Sequence, residues 1–173
     1  GDLRPASVLL DGRGRIFLAD CGVRRAIAGA GLIASRQLSP ERYDCVAPEV
    51  ASGEQTPDAA SDIYSLGCLL FHLLTGRPPY FGGNAERKCA AHQAGRHPSP
   101  RSLGLDLSPE LRLILSATLQ PDRTRRVGSY NDLLRQLSPT LEKSARLHRS
   151  ETRLSQLVVW TTRSLPDHLS SGT

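Results

Sequence analysis

Two aspartates bracket the first structural unit that can be read from this chain. Asp2 precedes, and Asp20 follows, a stretch in which the short apolar runs Val8 to Leu10 and Arg15 to Leu18 are separated by Asp11-Gly12 and Gly14. Apolar runs split by turn residues predict a β-hairpin. A hairpin returns the chain to its starting end, so both carboxylates are expected at the same end of the strand pair. Two converging carboxylates can divide a reaction between them, one serving as general base and the other holding a metal. Aspartates beside turns are common surface groups, so the pair gains meaning only from the rest of the chain.

The element that must position such a site is Ser61 to Pro79, SDIYSLGCLLFHLLTGRPP. Ile63, Leu66, Leu70, Leu73 and Leu74 recur at helical spacing, and Cys68, Leu69 and Phe71 fill most of the remaining circumference. A helix apolar nearly all round belongs in an interior. Ser61 is expected to cap it, with Asp62 in the first turn. Gly76, Pro78 and Pro79 end it. Further helices are predicted from Glu86 to Gly95, from the Ser108-Pro109-Glu110 start with Leu111, Ile114, Leu115 and Ala117-Thr118 inward, and from Gly128 to Leu137 with Leu133, Leu134 and Leu137 inward.

The order of these features resembles the catalytic core of serine/threonine protein kinases. D-L-R-P-A-S-V-L-L, a turn, L-A-D-C-G, A-P-E at Ala47 to Glu49, S-D-I-Y-S-L-G and L-Q-P-D-R-T-R-R-V follow one another as in the C-terminal lobe of that family. The resemblance spans roughly four-fifths of the chain. It implies a mainly α fold with a short β-hairpin, the C-terminal lobe of the protein-kinase-like (α+β) fold around a buried central helix. Residues 1–137 would form that lobe, with catalytic loop, activation segment and helical subdomain. Residues 138–173 would be a C-terminal extension, an amphipathic helix opening at Ser138-Pro139 and a frayed tail.

Matched position by position, the resemblance makes Asp2 the residue that accepts the substrate hydroxyl proton and Asp20 the magnesium-binding aspartate of D-F-G. Arg4 stands where a lysine contacts the transferred phosphate and the nucleotide, with the same charge but a different shape. Ser7 takes the place of the asparagine that holds a second magnesium, Cys21 that of the D-F-G phenylalanine, and Gly1 that of an arginine that reads activation-loop phosphate. Residues 23–46 would be the activation segment, with Glu41 and Arg42 where the family has a Gly-Thr pair. Glu49 and Arg126 are similar to the family's structural ion pair, and Asp62 to the residue that anchors the catalytic-loop backbone.

The family reaction uses ATP and Mg2+, and needs a glycine-rich loop and a strand lysine. No GxGxxG precedes Asp2, and the two lysines, Lys88 and Lys143, lie in no V-A-x-K strand. The N-terminal lobe is therefore expected to be missing. This chain alone is then expected to be inactive and to bind ATP weakly, with an uncovered apolar face along Ile63 to Leu74. Two readings stay open: a serine/threonine protein kinase fragment acting on a protein substrate, or a pseudokinase-type scaffold that binds a protein partner without catalysis.

Composition narrows the rest. The net charge of +5, from 22 basic and 17 acidic residues, is mild and dispersed. With no aromatic platform, a nucleic-acid partner is not expected. No apolar run approaches the roughly 20 residues that span a bilayer. Cys21, Cys45, Cys68 and Cys89 form no CxxC pair, which suits reduced thiols in a cytoplasmic protein. The histidines show no metal-ligand spacing, and none is assigned chemistry.

Overall fold

The computed structural model describes residues 3–19 and 39–148. Gly1, Asp2, Asp20, Cys21 and most of the expected activation segment lie outside them, as does the part of the expected C-terminal extension from residue 149 on. The described chain is mainly helical with one two-stranded antiparallel sheet. A 3-10 turn, Pro5–Ser7, leads into β1 (Val8–Leu10) and β2 (Ile16–Leu18). A second 3-10 turn, Pro40–Tyr43, precedes α1 (Pro48–Ala51), α2 (Ala59–Thr75), α3 (Ala85–Ala94), α4 (Pro109–Thr118) and α5 (Tyr130–His148).

The hairpin pairs Val8 with Leu18, Leu9 with Phe17 and Leu10 with Ile16. Its turn is held by Asp11, whose Oδ1 accepts the backbone N–H groups of Arg13 and Arg15, both at 2.9 Å. Val8 is half-buried, but both faces carry exposed apolar side chains: Ile16 is 67% exposed, and Leu9, Leu10, Phe17 and Leu18 are exposed with it.

The central helix α2 is buried along most of its length, including Ile63, Tyr64, Cys68, Leu69 and Phe71. The expected uncovered face is therefore not found along this helix as a whole. Ile63 is fully buried, Leu66, Leu70 and Leu74 are half-buried, and Leu73 alone of that row is exposed. The cap also differs from expectation. Asp58, three residues earlier, is the N-cap and accepts the Ser61 N–H at 3.0 Å, while the Ser61 hydroxyl takes the Asp58 N–H at 2.9 Å. This reciprocal box satisfies two helix-end donors that a cap at Ser61 would leave open. Gly76 ends the helix in the left-handed conformation, at φ 75°.

Helix α4 lies across α2 at Gly67. A Cβ at that position would stand 2.8 Å from Thr118 Cβ, so glycine is what permits the approach. Cys45, Ala47, Tyr64, Cys68, Phe71, Leu115 and Leu119 close into one core around this crossing. In α5, Leu133 is buried and Leu137 half-buried, but Leu134 is 55% exposed, against expectation. Residues 133 and 134 are about 100° apart on a helix, which puts Leu134 past the edge of the buried stripe. The chain divides into two compact units, Gly1–Leu137 and Ser138–Thr173. Helix α5 runs through Pro139, where the sequence suggested a new opening; proline there removes one backbone hydrogen bond.

Candidate active site

The loop that follows Asp2 is tied to the end of the hairpin that precedes Asp20. Arg4 N–H donates to Ser7 Oγ at 3.0 Å, and Ser7 Oγ–H donates back to the Arg4 carbonyl at 2.8 Å. Ser7 C=O then accepts the N–H of Ala19 at 2.8 Å. Two bonds thus close the Arg4–Ser7 turn on itself, and a third, from Ala19 N–H to Ser7 C=O, joins that turn to the residue just before Asp20. Ser7 itself is buried, 3% exposed, and its hydroxyl is spent on fixing the turn.

The start of α2 and the segment before α1 enclose the loop from the other side. Leu3 and Arg4 share a cavity of about 50 Å³ with Arg42, Ala47, Ser61 and Ser65. Asp62, half-buried in the first turn of α2, follows directly on the wall residue Ser61. The cavity is too small for a nucleotide and is a seam between the loop and the helix start.

The segment 43–49 is clamped at three successive points. His92 Nε2 lies 2.7 Å from the Tyr43 carbonyl, which can only accept, so Nε2 carries the proton. Nδ1 is then the acceptor for Tyr64 O–H at 2.8 Å. Burial lowers the His92 pKa from 6.5 to about 4, so the ring stays neutral near pH 7. Next, the Lys88 ammonium pairs with the Asp44 carboxylate; Lys88 is buried. Burial of Asp44 outweighs the lysine and raises its pKa.

The third point is Glu49. Arg126 Nη1 and Nη2 donate to Glu49 Oε1 and Oε2 at 2.8 and 3.1 Å, a bidentate pair. The remaining guanidinium donors are also used: Nη1 to Ala60 C=O at 2.8 Å, Nε to Gln120 C=O at 3.1 Å and Nη2 to Pro121 C=O at 3.3 Å. The Arg126 guanidinium carbon stands 4.9 Å over the Tyr64 ring. Burial raises the Glu49 carboxyl, but its hydrogen bonds and the arginine charge prevail and hold it below its ordinary range.

Of the residues singled out in the sequence, the structure brings Arg4 and Ser7 together, and Glu49 with Arg126. Sequence reasoning missed His92, Tyr64, Lys88 and Asp44. Lys88 and His92 sit four apart on α3 and so on one face, a signal that gives the face but not its partner. Among the described residues no cluster of three or more His, Cys, Asp or Glu side chains could hold a metal ion. Cys45, Cys68 and Cys89 are free thiols, and burial pushes Cys68 well above the usual thiol range, so it is not a nucleophile.

A family model described as protein kinase domain matches residues 1–137. The chain is 33% identical over 135 residues to a probable serine/threonine-protein kinase of Streptomyces coelicolor, covering 76% of this chain and 20% of that protein. It is 32% identical over 121 residues to the serine/threonine-protein kinase PknB of Mycolicibacterium smegmatis, covering 68% and 19%. It is 33% identical over 129 residues to beta-adrenergic receptor kinase 1 of Homo sapiens, covering 73% and 18%. The chain therefore spans about a fifth of the length of these relatives.

Proposed function

The chain belongs to the protein kinase domain family, and on that premise we propose that it supplies the C-terminal, protein-acceptor lobe of a serine/threonine protein kinase in a cytoplasmic signalling system. The single observation that carries this reading is the joining of the Arg4–Ser7 turn to Ala19. It ties the turn that begins two residues after Asp2 to the residue just before Asp20, which supports assigning the two aspartates to one site, one as base and the other as metal ligand.

In this reading Asp2 accepts the proton of the attacking serine or threonine hydroxyl, and Arg4 places positive charge by the transferred phosphoryl group. Positioning and charge are nearly all that such a transfer asks of the protein. Glu49 with Arg126 and Asp62 hold the surrounding frame. ATP supplies the phosphoryl group in the family, with Mg2+.

The described residues fit a second magnesium poorly. The Ser7 hydroxyl already gives its proton to Arg4 C=O and accepts Arg4 N–H, which leaves one lone pair in a buried position. That observation favours a second reading, a pseudokinase-type scaffold that keeps the lobe to bind a protein partner. The two separate in one experiment. The chain is assayed for Mg·ATP binding and for phosphate transfer to casein, alone and joined behind an N-terminal kinase lobe. The kinase reading expects no transfer by the chain alone, and transfer in the joined protein that Asp2→Asn abolishes. Nucleotide-free behaviour and no turnover in the joined protein would leave the scaffold.

A further inference from the structure

An open groove of about 520 Å³ runs between the 77–83 loop, one side of α3 and the chain beyond it, and shares no residue with the cavity at Arg4. Its floor is apolar, made by Pro78, Pro79 and Tyr80, all buried. Phe81 stands over it 74% exposed, more than any other large apolar side chain among the described residues. The loop form is set by Gly82 and Gly83, both at φ 82°. A Cβ on Gly83 would meet the Arg87 side chain at 3.1 Å, so glycine there also lets Arg87 lie close along the loop.

Three exposed guanidinium groups, Arg77, Arg87 and Arg96, line this groove. None of them makes an ion pair among the described residues. Arg15, Arg112, Arg123, Arg126 and Arg135, by contrast, each pair with a carboxylate. No acidic residue lines the groove, and its one other cation, Lys88, is already neutralised by Asp44. The result is concentrated, unbalanced positive charge around an exposed aromatic ring with an apolar floor.

We propose that this groove docks an acidic segment of a partner protein, with an apolar side chain seated against Phe81 and Pro79 and flanking carboxylates paired with Arg77, Arg87 and Arg96. Guanidinium forks match carboxylates in two-bond geometry, and an aromatic residue with arginines is the usual make-up of an energetically dominant contact. A peptide fits better than a nucleic acid, which would need a longer basic stripe to follow successive phosphates. The inference does not depend on phosphoryl transfer by this chain.

The test is fluorescence anisotropy with the whole chain and a fluorescein-labelled peptide in which a central leucine is flanked by glutamates. Saturable binding that weakens with salt is expected, with a glutamine counterpart binding at least about tenfold more weakly. Arg87→Glu, Arg96→Glu and Phe81→Ala should each lower affinity about tenfold or more, whereas Arg101→Glu, at an exposed position outside the groove, should change it less than about twofold. Thermal melting checks that each variant is folded, and Arg87→Gln replaces any reversal that is not. Equal binding of the glutamine peptide, equal loss in Arg101→Glu, no saturable binding of the glutamate peptide, or tighter binding of oligothymidylate with the same arginine dependence would each overturn the proposal.

Discussion

Arg126 and Glu49, 77 positions apart, meet in a two-bond ion pair in which every N–H of the guanidinium has an acceptor. The arginine side chain has no solvent exposure, and its pair joins the α1 segment to the chain after α4 while also touching Ala60 of α2. Glu49→Ala leaves a buried cation without its partner, and Arg126→Ala strips a buried carboxylate together with three backbone carbonyls. Each is expected to destabilise the fold by about 3–5 kcal/mol. Because both remove one network, the double variant should lose much less than the two losses added, as measured by urea unfolding in a double-mutant cycle. Arg126→Lys should rescue only part of the loss, since an ammonium has three donors against five. Additive losses would show that the two side chains act separately.

The crossing of α2 and α4 depends on the missing side chain at Gly67. Gly67→Ala puts a methyl group against Thr118 Cβ, which is itself fixed by the Thr118 hydroxyl donating to Ile114 C=O at 2.8 Å. Overpacking of this kind costs about 1–3 kcal/mol. Gly67→Val should cost more than Gly67→Ala in thermal unfolding. Equal stability of Gly67→Ala and the parent would mean that the helices separate freely there.

How far the sequence disclosed this arrangement depended on distance along the chain. Helix α2 was legible because its apolar residues nearly encircle it, a property that no partner has to supply. Local pattern misplaces its cap because Ser61 is both a capping type and the third residue of a box begun by Asp58, and sequence alone cannot tell these apart. Periodicity puts Leu134 inward because it does not say how wide the covered stripe is. Glu49 with Arg126 was legible only through the family resemblance. Nothing local announces that Lys88 meets Asp44 or that His92 meets Tyr64, because those contacts are set by which helix faces which loop. Asp2 and Asp20, the residues with the clearest chemical reading, lie outside the described structure.

Lys88 and Asp44 offer a sharper test of the 43–49 clamp. Lys88→Met leaves the half-buried Asp44 carboxylate without its cation and is expected to cost about 3 kcal/mol. Adding Asp44→Leu removes the stranded charge, so the double variant should recover most of the loss. Both are read by denaturant melts. A double variant as unstable as Lys88→Met alone would mean that the ammonium stabilises something other than its carboxylate.

The bare hairpin predicts surface behaviour. Leu9, Leu10, Ile16, Phe17 and Leu18 expose apolar groups on both faces of one small sheet. Exposed patches of this sort bind apolar dyes and promote self-association. The chain should therefore bind 1-anilinonaphthalene-8-sulfonate while folded, and Ile16→Thr with Phe17→Thr should reduce that signal without lowering the melting temperature. Unchanged dye fluorescence in the double variant would place the sticky surface elsewhere.

The acid limb of stability should carry the mark of His92. The ring is neutral in the fold because burial lowers its pKa to about 4, whereas an unfolded chain protonates it near the ordinary 6.5. Between those values the unfolded state binds more protons, so stability is full above about pH 6.5, falls as pH drops, and stops falling on this account below about pH 4. The whole window is worth up to about 3 kcal/mol. His72, lowered by burial, works in the same direction, while Asp44, raised by burial, opposes it near the acid end. Protonating Nδ1 would also cost the hydrogen bond from Tyr64, since a ring with two N–H groups cannot accept it. His92→Gln should be less stable near pH 7 yet lose less between about pH 6.5 and pH 4.5 than the parent does, in urea melts taken across that range. Parallel pH profiles for the two proteins would remove His92 as the source of acid sensitivity.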